Sequence, residues 1–212
     1  MPLPRSLLAF AILWAIASFV ATVGLRSPIQ PTTGSYTPAV RALLSLLAFG
    51  GCALWPAARL ATAAGAWPAR RVAVDMLTIS VVLQAIFWPL HLVTHWTLGQ
   101  ALAIDLMLVG WIAVTGGWIA LGLRPGHPRT LMSAAWLCAM PAGAALDAAG
   151  VRPPIPELAG PMAALFSLGP GAAAPESGPA WALVAWPWTL ALGFWGAATA
   201  LDRPVAASRS TG

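Results

Sequence analysis

Residues 98–123 read LGQALAIDLMLVGWIAVTGGWIALGL, and this stretch decides the fold class. Asp105 is its only charged residue. About 20 apolar residues in helical conformation are enough to cross the hydrocarbon core of a bilayer, which is about 30 Å thick. The apolar residues do not alternate with polar ones, as the strands of a membrane barrel would require. The stretch therefore predicts a membrane-spanning helix.

Five further apolar runs have a similar length. Together they predict a single all-α membrane domain over residues 1–212, with six spans at about 7–25, 42–60, 72–94, 98–123, 130–149 and 180–201. The composition agrees, because 59% of the residues are hydrophobic and only 8% are charged, against about 25% in soluble domains. The lipid bilayer is therefore the expected surrounding of this chain.

The first span also has some features of a signal peptide, since Arg5 precedes the apolar run and small residues follow near Ala21. Its uncharged run is longer than the usual apolar region of a signal peptide, which is about 7–15 residues. An uncleaved anchor is therefore the favoured interpretation.

Arginine placement predicts the orientation. With the N-terminus inside, the cytoplasmic segments hold eight arginines and the outer segments hold three, namely Arg26, Arg41 and Arg152. Cytoplasmic loops carry the excess of basic residues in membrane proteins, so both termini are expected in the cytoplasm. The expected location is the inner (cytoplasmic) membrane of the cell. The net charge of +5 does not indicate nucleic acid, because the arginines are scattered at span ends and form no basic stripe.

The hairpin of the third and fourth spans concentrates polar side chains. His91 and His95 are spaced i, i+4 and so lie on one helix face, which Gln84 extends downward. If the chain reverses near Thr97, Asp105 on the descending helix reaches roughly the depth of His91. Asp147 is expected in the same leaflet, near the outer end of the fifth span.

Ionisable groups inside a membrane are costly and therefore mark candidate functional sites. Two imidazoles and a carboxylate suit Zn²⁺, Cu²⁺ or non-haem Fe²⁺, so His91, His95 and Asp105 form a candidate metal site that Asp147, Gln100 or water would complete. Two alternatives stay open. His91 and Asp105 could form only an interhelical hydrogen bond, with His95 and Trp96 at the membrane interface, or the group could handle protons.

Motifs for catalysis do not occur. The sequence His91-Leu-Val-Thr-His95 lacks the glutamate of a zinc protease helix, there is no Gly-x-Ser-x-Gly elbow, and no ATP-binding signature is present. An enzyme is therefore disfavoured, and any coupling to energy would need a partner membrane subunit or an ATPase.

Other residues have structural interpretations. Asp75 opens the third span four residues after Arg71, with which it could pair locally. The small-residue run from Ala48 to Ala53 and the pair Gly116-Gly117 predict close helix contacts. Cys52 and Cys138 are interpreted as buried hydrophobes. Trp-Pro pairs inside three spans predict kinks, and each proline should free a carbonyl one turn earlier.

The outer loop 150–179 is rich in Pro, Gly and Ala. Its apolar segment 158–168 would suit an interfacial or re-entrant helix, which could cover the candidate site or contact a partner. Two functions remain from this reasoning. One is a small metal-binding membrane protein, and the other is a non-catalytic or permease-like subunit of a larger membrane complex.

Overall fold

The computed structural model describes residues 5–24, 33–61, 68–91, 94, 96–124, 126–148, 160–161 and 178–200. Within these ranges the regular structure is entirely helical and no strand is present. The all-α class predicted from the sequence is therefore confirmed.

The helices follow one another in chain order as α1 Arg5–Phe19, α2 Thr33–Phe49, α3 Trp55–Ala61, α4 Pro68–His91, α5 Leu98–Gly122, α6 Arg129–Ala148 and α7 Gly178–Ala200. A π-helical turn, Val20–Gly24, continues α1, and a second one, Gly50–Leu54, joins α2 to α3 without a break. The loop 150–179, including the predicted interfacial segment, lies almost wholly outside the described residues.

Four helical stretches are long and apolar enough to cross a membrane, namely Arg5–Gly24, Ala39–Ala61, Ala69–Leu90 and Leu98–Gly122. They coincide with the first four predicted spans. The helices α6 and α7 are not among them. Helix α7 carries no charged residue and contains four tryptophans and two prolines.

Helix α5 is the centre of the bundle. In the most apolar 18 residues of α5, 78% of the residues are buried inside the protein, whereas the corresponding share for the first apolar stretch, Arg5–Gly24, is 17%. It packs most extensively against α7 and next against α4, and it also contacts α3. A helix that is apolar on all sides is expected in the interior of a bundle, which is where this one lies.

Two tryptophans fasten α7 to α5. The indole Nε1 of Trp188 donates to the Leu106 carbonyl at 3.0 Å, and Nε1 of Trp195 donates to the Ala113 carbonyl at 2.9 Å. The donors are seven residues apart and so are the acceptors. Because the two bonds occur in the same order along both helices, α5 and α7 run parallel.

Each acceptor on α5 lies four residues before a glycine. A Cβ at Gly110 would lie 3.1 Å from Trp188 Nε1, and a Cβ at Gly117 would lie 2.6 Å from Phe194 Cβ. The missing side chains let the indoles approach the helix backbone, which is the known use of small residues between membrane helices. The prediction of a close helix contact at Gly116-Gly117 is confirmed.

The same arrangement recurs around α2 and α3. Trp14 of α1 donates to the Leu46 carbonyl at 2.9 Å, four residues before Gly50. Trp136 of α6 donates to the Cys52 carbonyl at 2.7 Å. Since Pro56 has no N–H to bond that carbonyl, the expected free carbonyl exists and a tryptophan satisfies it.

Candidate functional site between α4 and α5

A buried amide and carboxylate connect α4 to α5. Gln84 Nε2 donates to Asp105 Oδ1 at 2.5 Å, and Asp105 is only 8% exposed. The other amide atom, Gln84 Oε1, is buried without a hydrogen-bond partner among the described residues. A buried acceptor of this kind usually bonds an ordered water or a polar ligand in folded proteins.

The turn before α5 fixes the register of this hairpin. Thr97 is the N-cap of α5, and its Oγ1 accepts from the Gln100 N–H at 3.2 Å. Gln100 Oε1 in turn accepts from the Thr97 N–H at 3.0 Å. This reciprocal capping box satisfies two backbone donors. It also occupies the side chain of Gln100, which the sequence had offered as a further metal ligand.

Asp105 lies deeper in the bundle than the sequence suggested. Gln84 precedes His91, the last residue of α4, by seven residues, and Asp105 follows Leu98, the first residue of α5, by seven. Seven residues of helix rise about 10 Å. Asp105 therefore lies at the level of Gln84, about 10 Å below the end of α4, and the predicted equal depth of His91 and Asp105 is wrong. The reason is that α4 ends at His91, so the reversal is centred before Thr97.

The remaining predicted ligands are only partly described. The backbone of His91 ends α4 and that of Asp147 lies in the last turn of α6, but their side chains, like the whole of His95, fall outside the described residues. In the described part of the chain no three His, Cys, Asp or Glu side chains gather as a metal group. The structure thus joins Asp105 to Gln84, and the four-residue metal site stays a prediction.

An aromatic pair lies above Gln84, toward the end of the hairpin. Trp96 is buried and stacks on Phe87 with ring centroids 6.0 Å apart and planes 25° from parallel. Phe87 is wholly buried and lies three residues beyond Gln84 on the same helix face. Trp96 therefore packs into the hairpin, and its predicted position at the membrane interface stays a prediction.

A second buried carboxylate lies near the opposite end of α4. Arg59 Nε donates to Asp75 Oδ2 at 2.5 Å, and a second guanidinium nitrogen also contacts that oxygen. The Asp75 side chain is 2% exposed and that of Arg59 is 30% exposed. The predicted local pair with Arg71 is not formed, because Arg71 is exposed whereas Asp75 faces α3. The lone arginine at the end of the second span was the available signal for this pair.

A third polar contact closes the same end of the bundle. Arg124, just after α5, is buried and donates from Nη2 to the Ala198 carbonyl in the last turn of α7. A cation there satisfies a helix C-terminal carbonyl and suits the negative end of the helix dipole.

Of the two cysteines, Cys52 is buried as expected, whereas Cys138 is exposed on α6.

The comparisons with known proteins supply no function. No protein-family model matches this sequence, and neither a curated protein nor a solved structure matches it.

Proposed function

We propose that this protein is a six-span, non-catalytic subunit of a larger complex in the cytoplasmic membrane. One observation carries the proposal. The two carboxylates described inside the spans each bond a side chain of a neighbouring helix, Asp75 with Arg59 and Asp105 with Gln84. Such bonds join helices, and neither carboxylate is paired with a nucleophile or an imidazole among the described residues.

Two features support a partner within the membrane. Glycines of the π-helical turn Gly50–Leu54 and of α5 accommodate large side chains of other helices, whereas a Cβ at Gly193 or Gly196 of α7 would meet no atom of the described residues within 4 Å. This face of α7 is exposed in the single chain. A helix of a partner subunit, or of an ATPase complex, would pack there by the same close approach of backbones.

Six spans are supported by the relative direction of the helices. Since α5 and α7 run parallel, the chain returns across the bundle between them, and α6 is the helix of that interval that the structure describes at sufficient length. It has 20 residues and α7 has 23, which corresponds to about 30 Å or more of helix and is enough to cross a bilayer. The arginine distribution favours both termini in the cytoplasm.

Cysteine labelling in intact cells tests this topology. After Cys52 and Cys138 are replaced by serine, a membrane-impermeant thiol reagent should label cysteines placed at Thr97 and Gly171 but not one placed at Gly126. Lysed cells should label all three, which controls for reactivity. Labelling of Gly126 from outside, or of neither outer position, would contradict the six-span topology.

A second candidate function is metal binding by His91, His95, Asp105 and Asp147, with Zn²⁺, Cu²⁺ or Fe²⁺ as the ion. It is favoured by Gln84 Oε1, which has no hydrogen-bond partner among the described residues and places a second oxygen donor beside the Asp105 carboxylate. Carboxylate oxygens and imidazole nitrogens are suitable ligands for these ions. The offset of about 10 Å between Asp105 and the end of α4, taken from the rise of seven helical residues, counts against a compact three-ligand site.

One purification separates the two functions. Extracted from native membranes in a mild detergent, the wild-type chain should migrate as a complex larger than a single chain in its micelle, and Gly193→Leu should migrate as the single chain. Metal content measured on the same samples should be far below stoichiometric and should not change in His91→Ala or Asp105→Asn.

The opposite results identify the other function. Stoichiometric metal in the wild type that is lost in His91→Ala and in Asp105→Asn, with helical circular dichroism unchanged, would establish the metal site. A single-chain wild type would reject the subunit. Leu13→Ala, on the exposed face of α1, is the matched control and should leave the size of the complex unchanged.

A further inference from the structure

Basic side chains gather where α3 ends and α4 begins. The bond between Arg59 and Asp75 brings these two helix ends together. Arg70 and Arg71 lie in the first turn of α4, and both side chains are exposed. Arg59, Arg70 and Arg71 are called the basic patch below.

The basic patch has few acidic neighbours among the described residues. Asp75 is the one carboxylate that the described residues place against it, and this side chain is buried and already bonded to Arg59. The connecting residues 62–67 read TAAGAW and contain no charged group. Within the described part of the chain, Arg70 and Arg71 are therefore two exposed positive charges with no carboxylate bonded to them.

The backbone adds to this field. The first turn of α4 contains no acidic residue, so no negative side chain of that turn offsets the positive end of the helix dipole. This end of the dipole favours a negatively charged group at this position. The exposed guanidinium groups would hold its oxygens by charge-assisted hydrogen bonds.

The position along the helix identifies the anion. The apolar span of α4 is Ala69–Leu90, so its first turn lies at the boundary between hydrocarbon and headgroups when the helix crosses a bilayer. We propose that the basic patch binds the phosphate of an anionic phospholipid, with the acyl chains lying along the exposed side of α4. This assignment goes beyond the subunit function, and it holds for either orientation of the chain.

Lipid retention by the purified full-length chain tests the assignment. The protein is equilibrated in detergent with equal amounts of phosphatidylglycerol and phosphatidylcholine, and retained lipid is counted by native mass spectrometry. We expect the wild type to retain phosphatidylglycerol preferentially. Arg70→Gln combined with Arg71→Gln should weaken that retention roughly 20- to 30-fold, because each arginine near an anionic lipid surface contributes about a fivefold factor.

A matched control removes charge elsewhere. Arg26→Gln also lowers the net positive charge. Arg26 follows the C-terminal end of α1 in the sequence and is far along the chain from the basic patch. This variant should retain phosphatidylglycerol like the wild type. Raising the salt concentration should reduce retention in the wild type, because added ions screen exposed charges.

Two results would overturn the proposal. One is equal retention of both lipids by the wild type, and the other is unchanged phosphatidylglycerol retention in the Arg70→Gln, Arg71→Gln variant. Either result would mean that the basic patch binds an acidic protein partner instead, or that its arginines serve only to orient the chain in the membrane. Unfolding temperature in added phosphatidylglycerol is the second readout. It should rise for the wild type and for Arg26→Gln, and much less for the double variant.

Discussion

Gly117→Leu is expected to detach α7 from α5. A Cβ at this position would lie 2.6 Å from Phe194 Cβ and 3.3 Å from a ring carbon of Trp195, so a leucine has no room unless the helices separate. Overpacking of a filled core costs about 1–3 kcal/mol and occasionally more, and separation also breaks the bond from Trp195 to the Ala113 carbonyl. The loss should appear as a lower midpoint of denaturation of the single chain in detergent.

Gly193→Leu is the control for this experiment. It introduces the same side chain on the exposed face of α7, where an added Cβ would meet no described atom within 4 Å. Its midpoint should match the wild type or rise slightly, since leucine has a better helix propensity than glycine by roughly 1 kcal/mol. Equal losses in the two variants would mean that α7 does not pack on α5 through Gly117.

Arg59→Ala is expected to destabilise the bundle more than Asp75→Asn does. Removing the arginine leaves the Asp75 carboxylate unpaired at 1% exposure, and breaking a buried ion pair in this way costs about 3–5 kcal/mol. We expect a value near the lower end, because the Arg59 side chain is 30% exposed. Asp75→Asn keeps the shape and leaves an arginine that can extend toward water, so about 1 kcal/mol is expected.

Equilibrium unfolding of both variants in mixed micelles provides the comparison. Arg70→Ala is the matched control, because its side chain is exposed on the same helix end and such substitutions change stability by about 0.5 kcal/mol or less. If Arg59→Ala is no less stable than Arg70→Ala, the ion pair is not a stabilising contact between α3 and α4.

The helical class and the first four spans followed from the sequence, because both depend on properties that can be counted along the chain. Whether a stretch such as residues 98–123 can cross a bilayer depends on its length and on how few charges it holds, and both are counted along the chain. The prediction that Pro56 frees a carbonyl also depended only on local geometry, since a proline lacks the N–H that would bond it.

The candidate site was predicted less well. The sequence placed Asp105 among costly intramembrane groups, and the structure does bury it against α4. It did not identify Gln84 as the partner, because the depth of Asp105 depends on where α4 ends and how the turn to α5 is built. An error of a few residues in that turn moves every facing pair by about 1.5 Å per residue.

Tryptophan shows most clearly what the tertiary structure decided. The sequence gives twelve tryptophans in spans and loops, without a signal for which indoles bond a backbone. In the structure Trp14, Trp136, Trp188 and Trp195 each reach a carbonyl that lies four residues before a glycine or proline of another helix. The apolar runs, their lengths and the few charges were determined by the sequence itself. Which Trp meets which Gly, and whether Asp75 bonds Arg59 or Arg71, was decided only by packing, because each choice depends on the rotation and register of two helices at once.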